Sequence, residues 1–417
     1  MPTNPERFFA DPKESSRYKV ELLGDYALPF FYKLGSRYPR VWIVDGYAGP
    51  ASYEPEPGSS PTQIGSPMAT ARVARQVVSE QHRSELRIIN VERDRDIYAR
   101  LQSNLKGFAP QVINFQGSFD SRVEDILQIV GNDPVLFFVD PFGMEGADLR
   151  LVDRLLDRKA RTITELLINF SYRGFQRMAG NLISRPRSPA RQKAADTKIA
   201  KLDAILGTRQ WRWVWNDKSL TPTEKCARVA DLYRDSLRER GIEYVHPIQM
   251  RDDYYGPVRY ELIFATRSSH GVYLMSNFVA SYQEKLFDAT HSDLSFEPQL
   301  RIQEHAVRRD GLRAEIHALG LELRKVSPEQ IMRHLAPRHW GTFKEKDYMS
   351  CIRDLVRGGG IQRDSATGIT KREELRFIPF REQDLFSIPV GGRTSDLAEA
   401  SNVTHLNAQD AAQAGTS

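Results

Sequence analysis

The sequence predicts a doubly wound α/β fold built on a parallel sheet, on three observations. Val41-Trp-Ile-Val-Asp45 is an apolar run that ends in a carboxylate and turns at once through Gly46-Tyr-Ala-Gly49. Farther along, Val135-Leu-Phe-Phe-Val139 repeats the design and ends in Asp140-Pro-Phe-Gly143. Around these two runs, short apolar segments alternate with segments of helical spacing, as βα units do. In open sheets of this kind ligands sit outside the carboxyl ends of the strands, where such acidic loops converge.

The elements follow in order. Residues 1–40 form an N-terminal arm in which Val20, Leu23, Ala27, Phe30, Phe31 and Leu34 recur at helical spacing. Pro29 should kink that helix or split it. Val41–Val44 is the first strand, followed by a Pro-, Gly- and Ser-rich loop over Tyr47–Gly65 that is too long for a bare βα turn. The next helix is expected to take Ser66 as N-cap and Pro67 as its first residue. Strands are then predicted at Leu86–Val91, Gln111–Gln116, Val135–Val139 and Glu165–Phe170, with helices at Asp94–Lys106, Ser121–Val130 and Asp148–Arg158 between them. A helical insertion covers about 172–240, and Ile242–Met250 with Val258–Thr266 reads as an antiparallel hairpin closing a sheet domain at 41–290. Five parallel strands plus a late hairpin is the strand count of class I methyltransferases, so the sheet is expected to be class I methyltransferase-like, that is, Rossmann-like. From 300 to 385 the pattern becomes helix, helix and hairpin, a winged-helix outline; its first helix is capped by Ser327-Pro-Glu329 and its second spans Phe343–Arg357. The small, polar residues of 390–417 are expected to be disordered.

Composition narrows the classes of function. With 417 residues, 40% of them hydrophobic and 27% charged, the chain can bury a sizeable core in two or three domains. A net charge of +5 permits nucleic-acid binding without requiring it. Cys226 and Cys351 have no CxxC spacing and no histidine at ligand spacing, so a zinc, iron–sulfur or disulfide framework is not expected and no metal is assigned. The cysteine usage fits a reducing cytoplasm. No signal pattern and no apolar run of membrane-spanning length occurs, so no membrane contact is expected.

Several residues have the chemistry of a nucleoside-binding and base-modifying site. Asp45, Gly46 and Gly49 stand where a first cofactor loop would lie, although a tight βα turn uses the same residues. Glu92, closing the second strand, is placed to accept from both ribose hydroxyls. It lies 47 residues after Asp45, against about 20 in a dinucleotide fingerprint. Ser118 would flank an adenine or simply cap a helix. Asp140 can hold a base amine and Phe142 can stack on the base, unless the loop is a plain strand-end turn with a buried ring. Asn169 would face the same crevice, and Arg173 and Arg177 would meet phosphate or remain solvated. Trp211, Trp213 and Trp215 alternate, which would put three indoles on one face of a strand, for stacking or for core packing. Lys344, Lys346, Arg353 and Arg357 would line a groove-facing surface of the winged helix, for DNA, RNA or protein contact.

Asp140-Pro-Phe-Gly143 resembles the Asp-Pro-Pro-Tyr loop of adenine-N6 methyltransferases, with one proline rather than two. It is closer to the Asp-Pro-Phe-Gly loop of tRNA guanine-N2 methyltransferases. A wider set of matches runs in order over roughly residues 15–290: Tyr18-Lys19 with Leu22-Leu23 and Tyr26, Val44-Asp-Gly-Tyr-Ala-Gly-Pro50, Gly65-Ser-Pro67, Val91-Glu92, Phe138-Val-Asp-Pro-Phe-Gly143 and Glu165-Leu-Leu-Ile-Asn-Phe170. On these the chain resembles the three-Cys-motif partner protein family (TcmP), from whose Gly-Pro-Gly pattern it departs at Ala51. The resemblance implies S-adenosyl-L-methionine as cofactor and a separate three-Cys-motif, radical-SAM-like protein as partner. The expected function is methyl transfer to an amine of a nucleic-acid base. A non-enzymatic or cofactor-sensing partner in nucleic-acid repair or modification, and a winged-helix transcription regulator, are the alternatives.

Overall fold

The computed structural model describes residues 14–53, 63–159, 162–183, 188–290, 297–363 and 368–379. The predicted tail, and the middle of the loop after the first strand, lie outside them. The chain divides into two compact units, one of residues 1–305 with 332–347 and one of 306–331 with 348–417.

In the first unit, α1 (Glu14–Gly35) leads into β1 (Arg40–Asp45). Then come the small antiparallel pair β2 (Ser52–Tyr53) and β3 (Gln63–Ile64), α2 (Ser66–Ser79) and β4 (Glu85–Glu92). After these follow α3 (Arg95–Leu105), β5 (Val112–Gln116), α4 (Phe119–Val130), β6 (Val135–Val139), α5 (Leu149–Leu156) and β7 (Thr164–Ser171). Four helices, α6 (Tyr172–Ile183), α7 (Pro189–Leu206), α8 (Trp211–Asn216) and α9 (Pro222–Glu239), separate β7 from β8 (Tyr244–Met250). β9 (Tyr260–Thr266) and α10 (Ser269–Thr290) complete the set.

The seven long strands make one sheet in the order β5-β4-β1-β6-β7-β9-β8. The first five run parallel, β9 is antiparallel to β7, and β8 is in turn antiparallel to β9. These strands read as continuous apolar runs because both faces are covered. Leu136, Phe138 and Leu167 pack toward α1, α2 and α10, whereas Phe137, Leu166 and Ile168 pack toward α4, α6 and α9. The order reverses between β1 and β6, which makes their carboxyl ends the switch point of the fold.

Three expectations are corrected in whole or in part. Pro29 does not split the helix: it lies inside one continuous α1, a position where it costs a backbone hydrogen bond that the surrounding packing of Tyr26, Phe30 and Phe31 offsets. The N-cap of α2 is Gly65, which leaves Ser66 free to donate from Oγ to Asp45 Oδ2 at 2.6 Å. The Trp211-Arg-Trp-Val-Trp215 run is helical, so its alternation does not make one face: Trp211 is buried, Trp215 partly so, and Trp213 is 76% exposed. At two-residue spacing a helix rotates each indole well past its neighbour.

In the second unit, the later part of α11 (Glu297–Leu323) precedes β10 (Lys325–Val326). α12 (Pro328–Leu335) and α13 (Glu345–Arg357) are each shared between the two units, and β11 (Ile361–Gln362) and β12 (Leu375–Phe377) follow. The short strands form an antiparallel sheet in the order β10-β12-β11. Its packing is close, because a Cβ on Gly320 would stand 2.1 Å from the Phe377 ring.

Candidate functional site

The carboxylates singled out from the sequence gather at the switch point. Asp45 ends β1, and its partner on β6 is Phe138, two residues before Asp140. Asp45 is 1% exposed, and its oxygens accept from the Tyr47 amide at 3.0 Å and from Ser66. Burial pushes its carboxyl up to about 7 against those two hydrogen bonds, with the Asp140 charge raising it further and Lys19 opposing.

Glu92 ends β4 and is 8% exposed. Its Oε2 accepts from the Gly49 amide at 2.9 Å and its Oε1 from the Asp94 amide at 2.8 Å. Gly49 reaches that position in a left-handed conformation, φ +67°. Gly46 serves packing, since a Cβ there would lie 2.6 Å from the Phe119 ring. Ser118 caps α4 by accepting from the Ser121 amide at 3.2 Å.

Asp140 follows β6 directly. Its Oδ1 accepts from Asn169 Nδ2 at 2.6 Å, and its Oδ2 takes an ion pair from Lys19 of α1. Asn169 Oδ1, at the other end of the amide, is buried without a hydrogen-bond partner among the described residues. An orphaned acceptor of this kind costs about 1–3 kcal/mol, which marks the spot as one not optimised for stability alone. Phe142, two residues on, is 61% exposed, so the turn does not bury its ring. Gly174, near the start of α6, lets that helix approach: a Cβ there would stand 2.8 Å from Gly143 Cα. Arg177 comes close to the same loop, its Nη2 lying 3.4 Å from where a Gly143 Cβ would be, and both it and Arg173 are exposed.

Lys19 is the site residue that sequence reasoning gave no role. The signal available was its place in the Tyr18-Lys19 match, but nothing local in a helix says that its ammonium will meet a loop 121 residues away. Of the four basic residues expected to line the winged helix, Lys344 directly precedes α13, and Lys346, Arg353 and Arg357 lie on it. Lys344 is ion-paired with Glu284 of α10, and Lys346 lies 3.9 Å from the same carboxylate. Arg357 pairs with Asp354 within its own helix, and the Arg353 guanidinium donates to the Met349 carbonyl at 3.1 Å.

Five parallel strands with a terminal antiparallel pair, and acidic loops at the switch point, define a class I methyltransferase-like α/β fold. No family model matches the chain, and no curated protein matches it. Among solved structures, similarity is found to a putative caffeoyl-CoA O-methyltransferase from Staphylococcus aureus, at 12% identity over 60% of this chain and 83% of that one, TM-score 0.31. It is also found to the plantazolicin methyltransferase BamL in complex with triazolic desmethylPZN analog and SAH, at 12% identity over 61% and 86%, TM-score 0.26. A third is the putative methyltransferase yhhF from Escherichia coli, at 14% identity over 40% and 74%, TM-score 0.22. Among the described residues no helix is long and apolar enough to cross a membrane.

Proposed function

We propose that the chain is an S-adenosyl-L-methionine-dependent methyltransferase acting on an amine of a nucleic-acid base, in DNA or RNA. We further propose, on the sequence resemblance, that it is a TcmP-like protein working with a three-Cys-motif, radical-SAM-like partner. The observation that carries the reading is Asp140 at the end of β6, oriented by Asn169 and Lys19 beside the exposed ring of Phe142.

The residues present fit the cofactor. Each oxygen of Glu92 accepts one amide N–H, which leaves a lone pair on each for the two hydroxyls of a ribose. When bound, the cofactor supplies an activated methyl group on a sulfonium. The chain's part is positional and electrostatic. Asp140 accepts from the amine and orients it, Asn169 fixes the plane of that carboxylate, and Phe142 offers a stacking face. Arg173 and Arg177 supply phosphate contacts at the rim, and the expected winged-helix-like outline of residues 300–385 is proposed as a further contact for nucleic acid.

Calorimetric titration of S-adenosyl-L-methionine into wild type and Glu92→Ala tests the cofactor. Losing a charge-assisted contact to the ribose should cost about 1.5–3 kcal/mol, roughly tenfold or more in affinity. Indistinguishable curves would remove the assignment. Methyl incorporation by wild type and Asp140→Asn, with and without the three-cysteine protein, tests the chemistry. The amide cannot supply negative charge toward a developing ammonium, so a fall of about 10²–10³ in turnover is expected. No transfer to any nucleic acid by wild type would favour a cofactor-sensing, non-enzymatic partner instead.

A further inference from the structure

We infer that Lys19 and Asp140 together recognise the amidine edge of a nucleobase, where an amine sits on the carbon next to an sp² ring nitrogen. Asp140 accepts from the amine and Lys19 donates to that ring nitrogen. This deepens the proposed function and rests on it for the assignment of Asp140 to the amine.

The inference starts from charge. Asp140 alone would attract a protonated alkylamine as readily as a base amine. With the Lys19 ammonium on Oδ2, a substrate that arrives as a full cation would meet Lys19 as a like charge, whereas a base amine arrives neutral and takes on only partial positive charge during transfer. A neutral amine has no such conflict. Hydrogen-bond capacity points the same way. A carboxylate offers about four lone-pair sites, of which Asn169 and Lys19 take one each. An ammonium carries three N–H donors, of which Asp140 uses one. What remains is acceptor capacity and donor capacity side by side, and a substrate that presents N–H next to an sp² nitrogen complements both.

The pair is held for such a role. The Lys19 side chain is 13% exposed and that of Asp140 18%, so both are largely out of water yet still reachable. Lys19 Nζ stands 5.4 Å from the centroid of the Tyr260 ring, whose hydroxyl donates to the Ser15 carbonyl at 2.7 Å at the start of α1. The ring therefore backs the ammonium, and the hydroxyl ties that ring to the helix that carries Lys19. The cationic groups of the rim, Arg173 and Arg177, stand on α6, a different element from the one carrying Lys19. Their proposed partner is the backbone phosphate, whereas that of Lys19 is the base edge.

The test uses the full chain and single-stranded oligonucleotides, otherwise abasic, carrying one base. The pairs are adenine and 1-deazaadenine, cytosine and 3-deazacytosine, and guanine and 3-deazaguanine. In each deaza base the ring nitrogen beside the amine is a C–H. Binding is read by fluorescence anisotropy. Wild type should prefer the parent of at least one pair by roughly 10- to 100-fold, the range for a hydrogen bond from a charged donor. Lys19→Met should abolish that preference while Lys19→Arg retains it, and melting curves establish that both fold; Lys19→Gln replaces the methionine variant should that one not fold. Equal binding of parent and deaza strands by wild type, a preference that survives in Lys19→Met, or binding of none of the six strands would overturn the inference. Methyl transfer measured on the same samples after addition of S-adenosyl-L-methionine, with and without the three-cysteine protein, separates the two levels. A Lys19-dependent preference without transfer sinks the methyltransferase reading and leaves the recognition pair standing. Transfer without such a preference does the reverse.

Discussion

At Gly174 there is no room for any side chain, because a Cβ would stand 2.8 Å from Gly143 Cα and 3.0 Å from the carbonyl carbon of Gly143. Both neighbours are backbone and cannot rotate away. Gly174→Ala should therefore push the Asp140-Pro-Phe-Gly143 loop outward, at about 1–3 kcal/mol of overpacking. Binding of oligonucleotides should fall more than the melting temperature implies, since the loop carries Asp140 and Phe142. An alanine variant that melts and binds like wild type would show that the helix can back away instead. Ala51 is the complementary case. It adopts φ +67° while fully buried, in a conformation that favours glycine. A glycine here would relieve that backbone strain, and the methyl group of Ala51 packs among Ala48, Met68 and Leu101 in compensation.

Among the elements, α1 is tied to the sheet by a buried acid as well as by apolar packing. Tyr26 donates to Glu165 Oε2 at 2.6 Å and Thr266 to Oε1 at 3.1 Å. Burial pushes Glu165 up from 4.5 to about 7, against both hydrogen bonds. The fold thus favours the protonated acid. Its contribution is complete below about 4.5 and is lost as pH rises through about 7, because the native state binds the extra proton in that window. Asp45 acts in the same sense between 3.8 and about 7. Urea unfolding from pH 5 to 8 should show stability falling with pH. Glu165→Gln, which cannot ionise, should flatten that slope by up to about 1.4 kcal/mol per pH unit. Parallel curves for the two proteins would mean that Glu165 titrates normally. The tryptophan helix α8 gives a second contrast. Trp211 is fully buried with its ring against Phe175, and its Nε1 donates to Asp203 at 2.9 Å. Trp211→Ala should cost about 3–5 kcal/mol, whereas Trp213→Ala at an exposed position should stay within about 0.5 kcal/mol. Equal losses in chemical denaturation would contradict the helical assignment.

On the scale of the whole molecule, the mild positive charge matters only where the cations are available. Lys344 and Lys346 share Glu284, while Arg173 and Arg177 lie exposed on the helix that follows the crevice strand. In single-stranded binding each phosphate contact contributes about 0.7 to the logarithmic salt slope. Arg173→Ala with Arg177→Ala should therefore flatten that slope by roughly 1.4, and Lys344→Ala with Lys346→Ala by clearly less. The reverse order would place the nucleic-acid surface at the start of α13 rather than at the crevice.

The parallel strands were legible from sequence because burial on both faces demands unbroken apolar runs, and their acidic ends were legible because Gly and Pro punctuate them. The late hairpin read correctly for the same local reasons. Short-range patterns failed where one spacing serves two periods, as in the tryptophan run, and where a strand is only two residues long, as with β2, β3 and β10. Asp140, Asn169 and Glu92 announce themselves through residue type and position at strand ends. What those side chains touch was decided by tertiary structure alone. Ser66 turns from the cap of α2 to Asp45, Gly49 holds Glu92 through a backbone amide, and Lys19 reaches Asp140 across 121 residues. A pairing of that kind depends on how α1 docks against the sheet, which is set by the sum of many apolar contacts and leaves no local signature at either residue.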